Sequence, residues 1–167
     1  MRASYRGASN VDGRNVIANI AGGKRRNELV MLGRHLDSWH AATGATDNAS
    51  GCAIVMEAMR ILTVLDLKMD RTVRMALWDG EEQNYYGSRA YVRANFGDPV
   101  SMALKPDHAQ LSAYYNIGNG SGKIRGVYLQ SNDMVRPIFE AWLAPFADQG
   151  VTNITIRETF NAIDKLP

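Results

Sequence analysis

The segment GRHLDSWHAATGATDNASG, residues 33–51, contains two histidines and two aspartates around a short loop. His35 and Asp37 follow the apolar run ELVML, so they are expected at the carboxyl end of a strand. Residues two apart in extended backbone point to the same face, which would bring an imidazole and a carboxylate to one place. A His-x-Asp pair alone is also typical of an ordinary polar strand end.

Asp47 stands just before the next apolar helical pattern. Asp47, Asn48 and Ser50 all have side-chain oxygens that can cap a helix by accepting its unpaired N–H groups. Capping explains one such residue well. A carboxylate here could instead bridge two cations, and the residues alone leave both interpretations open.

Two adjacent glutamates, Glu81 and Glu82, follow the apolar run VRMALW within the segment DGEEQ. Adjacent glutamates are common in solvated turns. If this strand runs parallel to the one that ends at His35, both glutamates lie at the same edge of the sheet. One could then bind a metal while the other takes a proton from metal-bound water. Carboxylates with an imidazole suit zinc, and suit manganese or cobalt less well.

The apolar spacing predicts the elements that must position these side chains. Strands are predicted at 15–20, 28–33, 71–80, 112–118, 124–130 and 151–159, and helices from Ala49 to about Leu65, from about Tyr86 to Phe96, and at 133–148. This alternation predicts an α/β fold, a three-layer α/β/α sandwich with a mixed, mainly parallel central sheet. Ligands collect at the carboxyl ends of strands in such sheets. We predict a single domain over residues 1–167.

The composition of the chain limits the classes of partner that it is expected to bind. The chain of 167 residues is 46% apolar and 22% charged, with 19 Lys and Arg against 17 Asp and Glu. This weak, evenly spread charge argues against nucleic-acid and membrane partners.

Cys52 is the single cysteine, which excludes an internal disulfide and a cysteine zinc cluster, and its apolar neighbours favour a buried thiol. No apolar run approaches the roughly 20 residues of a membrane span, and no signal peptide is recognisable.

The order of these motifs is more specific than any one of them. The segments GRHLDSWHAATGATDNASGCAIVMEAMRIL, RTVRMALWDGEEQNYYGSRAYV and YYNIGNGSGKIRGVYLQ resemble the co-catalytic di-zinc peptidases of the aminopeptidase type. Within that family they are most similar to the plasma glutamate carboxypeptidase branch. The resemblance runs from about Asn15 to Glu158 and implies the family's sandwich fold, incomplete at the C-terminus. It also implies zinc-dependent exopeptidase hydrolysis of short peptides.

The resemblance assigns a role to each motif residue. It makes His35 a ligand of one zinc, Asp47 the carboxylate that bridges both zinc ions, and Glu82 a ligand of the second. Glu81 would be the general base and later the general acid, and Asp37 would orient the ligand histidine. The two zinc ions of such a site stand about 3.5–4 Å apart and share a water or hydroxide.

The chain departs from the family pattern at two places. Where the family has a sequence close to NLDNG, this chain has Gly118 between Asn116 and Asn119, so one zinc loses a carboxylate ligand. After the last strand the family has an Asp-His pair. Here the chain reads ETFNAIDKLP without a histidine, and Asp164 stands beside Lys165. Each zinc would then be one short of the usual three protein ligands.

Several expectations follow from this shortage. We expect weak peptidase activity or none, the alternative being a non-catalytic binding or assembly module with the same fold. A fragment or an altered reading frame of a complete peptidase also stays open. A homodimer is expected to cover the exposed sheet edge. The family analogy favours export to the periplasm or the extracellular space.

Other side chains near these motifs have less definite roles. His40 and His108 are spare imidazoles, and His40 is expected in a substrate-side or surface loop rather than at the metal. The aromatic residues Trp39, Tyr85 and Tyr86 either line the cleft or pack against their neighbours.

Overall fold

The computed structural model of the chain describes residues 12–117 and 122–158. These residues fall into two compact units, 12–117 and 122–158, each described by itself below. The single domain over residues 1–167 stays a prediction. No helix within the described ranges is both long enough and apolar enough to span a membrane.

The first unit contains a four-stranded sheet, two helices and a small hairpin. Its elements are β1 (Val16–Ile20), β2 (Arg25–His35), α1 (Gly51–Val64), β3 (Arg71–Trp78), α2 (Tyr86–Asn95), β4 (Gly97–Asp98), β5 (Ala103–Leu104) and β6 (Leu111–Asn116). The strand order is β1-β3-β2-β6, with β1 antiparallel to β3 and with β2 parallel to both β3 and β6. The predicted mixed, mainly parallel sheet is confirmed.

The two helices cover opposite faces of the sheet because side chains alternate along the strands. On one face β3 packs against α1, in a cluster formed by Cys52, Val55, Met59, Val73, Met75 and Leu77. On the other face β2 and β3 pack against α2 and the residue after it, in a cluster formed by Leu29, Met31, Ala76, Trp78, Val92 and Phe96. The three-layer arrangement is therefore present in this unit.

The strands are tied together close to their carboxyl ends. Trp78 at the end of β3 donates its indole N–H to the Tyr114 hydroxyl of β6 at 2.9 Å, across the central strand β2. Gly33 in β2 makes this link possible, since a Cβ at that position would overlap the Tyr114 ring. The link fixes the edge of the sheet from which the candidate site is built.

The second unit is smaller. It contains the parallel strands β7 (Gly126–Tyr128) and β8 (Asn153–Thr155), with α3 (Arg136–Leu143) between them. The predicted helix 133–148 is shorter than expected, because its ends are 3-10 turns at Asp133–Val135 and Ala144–Gln149. Pro145 cannot donate a backbone hydrogen bond and is disfavoured inside an α-helix, and α3 ends two residues before it. The β4–β5 hairpin was not predicted.

Candidate metal centre

The carboxyl ends of two parallel strands bring the candidate residues together. His35 and Trp78 are register partners at the ends of β2 and β3, and the glutamates follow β3 immediately. His35, Glu81 and Glu82 each offer one potential ligand atom, and these three atoms all lie within 4.8 Å of one another. His35 and Glu81 are buried and Glu82 is half-buried. The two motifs lie at the same edge of the sheet, as expected for parallel strands, because β2 and β3 pair in parallel.

Both nitrogens of the His35 ring have an oxygen near them. Nε2 lies 3.0 Å from Asp47 Oδ1, and Nδ1 lies 3.1 Å from the Asp37 carbonyl oxygen. On the backbone side, the Cys52 thiol donates to the His35 carbonyl at 3.1 Å. A proton on Nδ1 would be donated to Asp37, which leaves Nε2 free to bind a metal.

The Asp37 carboxylate holds the backbone of the glutamate pair. Its Oδ1 accepts the Glu81 N–H at 3.0 Å, and its Oδ2 accepts the Glu82 N–H at 3.1 Å. Its Oδ1 lies 3.5 Å from His35 Nδ1, farther than the Asp37 carbonyl oxygen. Asp37 thus contacts the histidine chiefly through its main chain, while its side chain fixes the position of both glutamates.

The turn after β3 is closed by its own hydrogen bonds and by a side chain of the segment before β1. The Tyr86 N–H donates to the Gly80 carbonyl at 3.0 Å, and Gly80 has a φ of +67°, which favours glycine. Asn15 donates its amide to the Gly87 carbonyl at 2.9 Å and accepts the Asp79 N–H at 3.0 Å. The glutamates are therefore presented by a well-anchored turn.

Glu82 has an unusual electrostatic environment. Its Oε1 is buried and has no hydrogen-bond partner among the described residues. Burial raises the pKa of Glu82, the charges of Asp47 and Asp37 raise it further, and His35 opposes them. A carboxylate oxygen in this state has the free acceptor capacity that a cation requires.

Asp47 lies in an irregular helical turn, Ala45–Ser50, that leads into α1. Asp47 has φ −116° and ψ 90°, and its peptide bond to Asn48 is cis. No side-chain hydrogen bond caps this turn or α1 at its N-terminus, and Ser50 Oγ instead donates to the Thr46 carbonyl at 2.7 Å. Helix capping by Asp47, Asn48 or Ser50 is not observed in this described segment.

Arg34 and Asn48 form a buried pair that the sequence patterns did not single out. Arg34 is 2% exposed and Asn48 is 1% exposed, and Arg34 Nε donates to Asn48 Oδ1. Arg34 Nη1 and Asn48 Nδ2 have no partner in the described part of the chain. Gly51 leaves room for the pair, since a Cβ there would overlap Arg34 Nε. An arginine inside the apolar run MLGRH was the available signal.

The remaining candidates lie elsewhere or outside the described residues. His40 is exposed in the loop after β2, and His108 is exposed in a turn that precedes β6, on the amino side of that strand. Gly118, Asn119 and Asp164 lie outside the described residues, so the expected shortage of ligands stays a prediction.

The aromatic candidates differ from one another in exposure. Trp39 and Tyr86 are largely exposed, whereas Tyr85 is half-buried and has the Arg89 guanidinium over its ring at 5.5 Å. Cys52 is buried as expected, and burial raises the pKa of its thiol.

Comparisons with known proteins agree with this architecture. The sequence model of peptidase family M28 matches residues 15–161. Carboxypeptidase Q of Bos taurus is 32% identical over 130 residues, which are 76% of this chain and 27% of that protein. Leucine aminopeptidase 2 of Trichophyton equinum is 44% identical over 78 residues, 47% of this chain and 15% of that protein.

Solved structures show the same likeness. The crystal structure of a peptidase M28 precursor from Shewanella amazonensis SB2B superposes with a TM-score of 0.73 at 26% identity, covering 88% of this chain and 32% of that one. A glutaminyl cyclase of Macrostomum lignano, 19% identical with a TM-score of 0.55 over 90% of this chain and 55% of that one, shares the fold. The chain thus spans about a third or less of the length of the three peptidases.

Proposed function

The chain belongs to peptidase family M28, and we propose that it is a zinc-dependent hydrolase of short peptides that works at the carboxyl edge of its sheet. One observation supports this proposal above the others. The potential ligand atoms of His35, Glu81 and Glu82 lie within 4.8 Å of one another, and Asp47 Oδ1 lies 3.0 Å from His35 Nε2.

The donor set fits zinc. Zinc binds imidazole nitrogen and carboxylate oxygen at about 2.0–2.2 Å, so ligand atoms around one tetrahedral ion stand roughly 3.3 Å apart. The separation of 3.0 Å between His35 Nε2 and Asp47 Oδ1 is close to that value. The unpartnered Oε1 of Glu82 supplies a further oxygen. We therefore propose that His35, Asp47 and Glu82 would hold the metal, Asp47 in the bridging role that the family resemblance implies.

Glu81 is the proposed general base. Zinc, when bound, supplies a Lewis acid that polarises the peptide carbonyl and lowers the pKa of water. The Glu81 carboxylate accepts the proton of the attacking water and then gives it to the leaving amine. Because Asp37 binds the Glu81 N–H, the base is held at a fixed position relative to His35.

We propose low turnover for this chain. Gly118 has no side chain to offer where the family has an aspartate, and a zinc ion with fewer than three protein ligands is bound less tightly. The same residue favours the second candidate function, a non-catalytic module that keeps the fold for binding or assembly. The two candidates differ in whether Glu81 matters for turnover.

The test compares Glu81→Gln with Glu57→Gln. Glu57 is an exposed residue of α1 that pairs with Arg60, so its substitution controls for the loss of one carboxylate. We expect zinc-loaded wild type to cleave dipeptides or aminoacyl chromogenic substrates slowly. Glu81→Gln should lower kcat by about a hundredfold or more, whereas Glu57→Gln leaves kcat unchanged. Equal rates for wild type and Glu81→Gln would contradict the peptidase proposal and favour the binding module.

A further inference from the structure

A buried arginine, Arg34, is the chain neighbour of the candidate ligand His35. Arg34 precedes His35 on β2, and consecutive residues of a strand point to opposite faces. The Arg34 side chain extends to Gly51 and Asn48, at the beginning of α1. Arg34 is 2% exposed and its Nη1 has no partner in residues 12–117 and 122–158, so within these ranges protein acceptors do not fully replace the lost hydration of the guanidinium.

Such burial is unfavourable unless other charges compensate it. Arg34 binds Asn48, which directly follows Asp47 in the chain, and Asn48 is neutral. Burial lowers the pKa of Arg34, while the negative charges of Asp47 and Glu81 raise it. An arginine side chain remains protonated in proteins, so a permanent positive charge lies beside Asn48, the chain neighbour of Asp47.

The ionisable side chains around His35 are mostly acidic. Asp37, Asp47, Glu81 and Glu82 gather around the single imidazole of His35. Carboxylates so close together repel one another. A fixed positive charge near such a cluster would lower that repulsion when no metal is present.

We propose that Arg34 is a built-in counter-charge of the carboxylate cluster, one that stabilises the metal-free protein and competes electrostatically with a bound divalent cation. The first half of this proposal concerns the metal-free protein alone. The second half rests on the proposed zinc site. Arg34, which is 2% exposed, thus acts through its charge and lowers zinc affinity.

Two substitutions separate the charge of Arg34 from its hydrogen bond. In Arg34→Gln the side-chain amide nitrogen takes the position of Arg34 Nε, so the bond to Asn48 Oδ1 is kept and the charge is lost. In Arg34→Lys the charge is kept and the donor at the Nε position is lost. Arg34→Met serves as a second neutral variant if Arg34→Gln does not fold.

Zinc affinity is measured on the full chain by competition with a chromophoric chelator. The counter-charge account expects Arg34→Gln to bind zinc about tenfold more tightly than wild type, with Arg34→Lys within about threefold of wild type. A purely structural role predicts no gain for Arg34→Gln and a loss for Arg34→Lys. Zinc affinity of folded Arg34→Gln equal to or below that of wild type would overturn the competition with metal.

The proposed stabilisation of the metal-free protein by Arg34 is tested by urea unfolding with a chelator present. A double-mutant cycle combines Arg34→Gln with Asp47→Asn. We expect Asp47→Asn to lower the unfolding midpoint when Arg34 is present, and to leave it unchanged or raise it in the Arg34→Gln background. Additive effects would overturn the counter-charge. If no variant binds zinc, the proposed metal function and the competition with metal fail, while this cycle still decides whether Arg34 balances the carboxylates.

Discussion

The backbone N–H of Glu81 donates to Asp37 Oδ1 at 3.0 Å, although 44 positions separate the two residues in the sequence. The second oxygen of the same carboxylate accepts the next N–H, that of Glu82. One side chain at the end of β2 therefore sets the position of the glutamate pair that follows β3. Through its main-chain oxygen the same residue also contacts His35.

Replacing Asp37 by alanine should therefore disturb the glutamates more than the histidine. Two half-buried N–H groups lose their acceptor, which is expected to lower the free energy of unfolding by about 1–3 kcal/mol. Asp37→Asn keeps one acceptor oxygen and should cost less. Urea unfolding measures both, with Asp66→Ala as the control because Asp66 is exposed and pairs with the exposed Lys68. Equal stability of Asp37→Ala and Asp66→Ala would contradict the role given to Asp37.

The raised pKa of Glu82 predicts a pH dependence in the metal-free protein. Between the ordinary value of 4.5 and the raised value, the folded state holds more protons than the unfolded state. Stability is therefore lost as the pH rises through this window, and Glu82→Gln removes that loss. The measurement is the unfolding midpoint of wild type and of Glu82→Gln from about pH 4 to 8, with chelator present. The midpoint of Glu82→Gln should rise relative to that of wild type as the pH increases.

Glu57→Gln provides a control of opposite sign. Arg60 lowers the pKa of Glu57, so that carboxylate contributes stability above the ordinary value, and the contribution disappears as the pH falls through the lowered pKa. The stability of Glu57→Gln should therefore fall relative to that of wild type as the pH rises. A constant difference between wild type and Glu82→Gln over the whole range would show that Glu82 is not destabilised by its surroundings.

Gly33 is expected to tolerate no side chain while Tyr114 is present. The Cβ of Gly33→Ala would overlap the Tyr114 ring, whose hydroxyl accepts the Trp78 indole hydrogen bond. Overpacking of this kind costs about 1–3 kcal/mol, and the lost hydrogen bond adds about 1 kcal/mol. In a Tyr114→Ala background the same glycine substitution should cost clearly less, as measured by thermal or urea unfolding. Equal costs in the two backgrounds would mean that the contact does not constrain Gly33.

Local patterns are sufficient to predict the main sheet and its helices because each element has its own apolar run or helical spacing. The apolar run VRMALW and the helical spacing from Cys52 onward predict β3 and α1, and the parallel pairing of β2 with β3 brings His35 and Glu82 to one edge of the sheet. The order of the motifs was as informative as their content. The family assignment rested on that order and is confirmed by the match over residues 15–161.

Features that depend on contacts distant in sequence were not predictable in the same way. The burial of Arg34 follows from its approach to Asn48 and Gly51, and nothing in the local pattern states where an arginine in an apolar strand will find acceptors. The bonds from Asp37 to the glutamate backbone likewise need the folded arrangement of β2 and β3. The helix predicted at 133–148 is too long because apolar spacing continues past Pro145, whereas α3 ends at Leu143.

The most direct test of the proposed metal centre is zinc content per chain. Wild type and His35→Ala are incubated with excess zinc, dialysed exhaustively and measured by elemental mass spectrometry, with His108→Ala as the histidine control because His108 lies in the turn before β6. The account predicts about one to two zinc ions per chain for wild type and His108→Ala, and a marked loss for His35→Ala. Wild type without zinc, or His35→Ala with as much zinc as wild type, would contradict it.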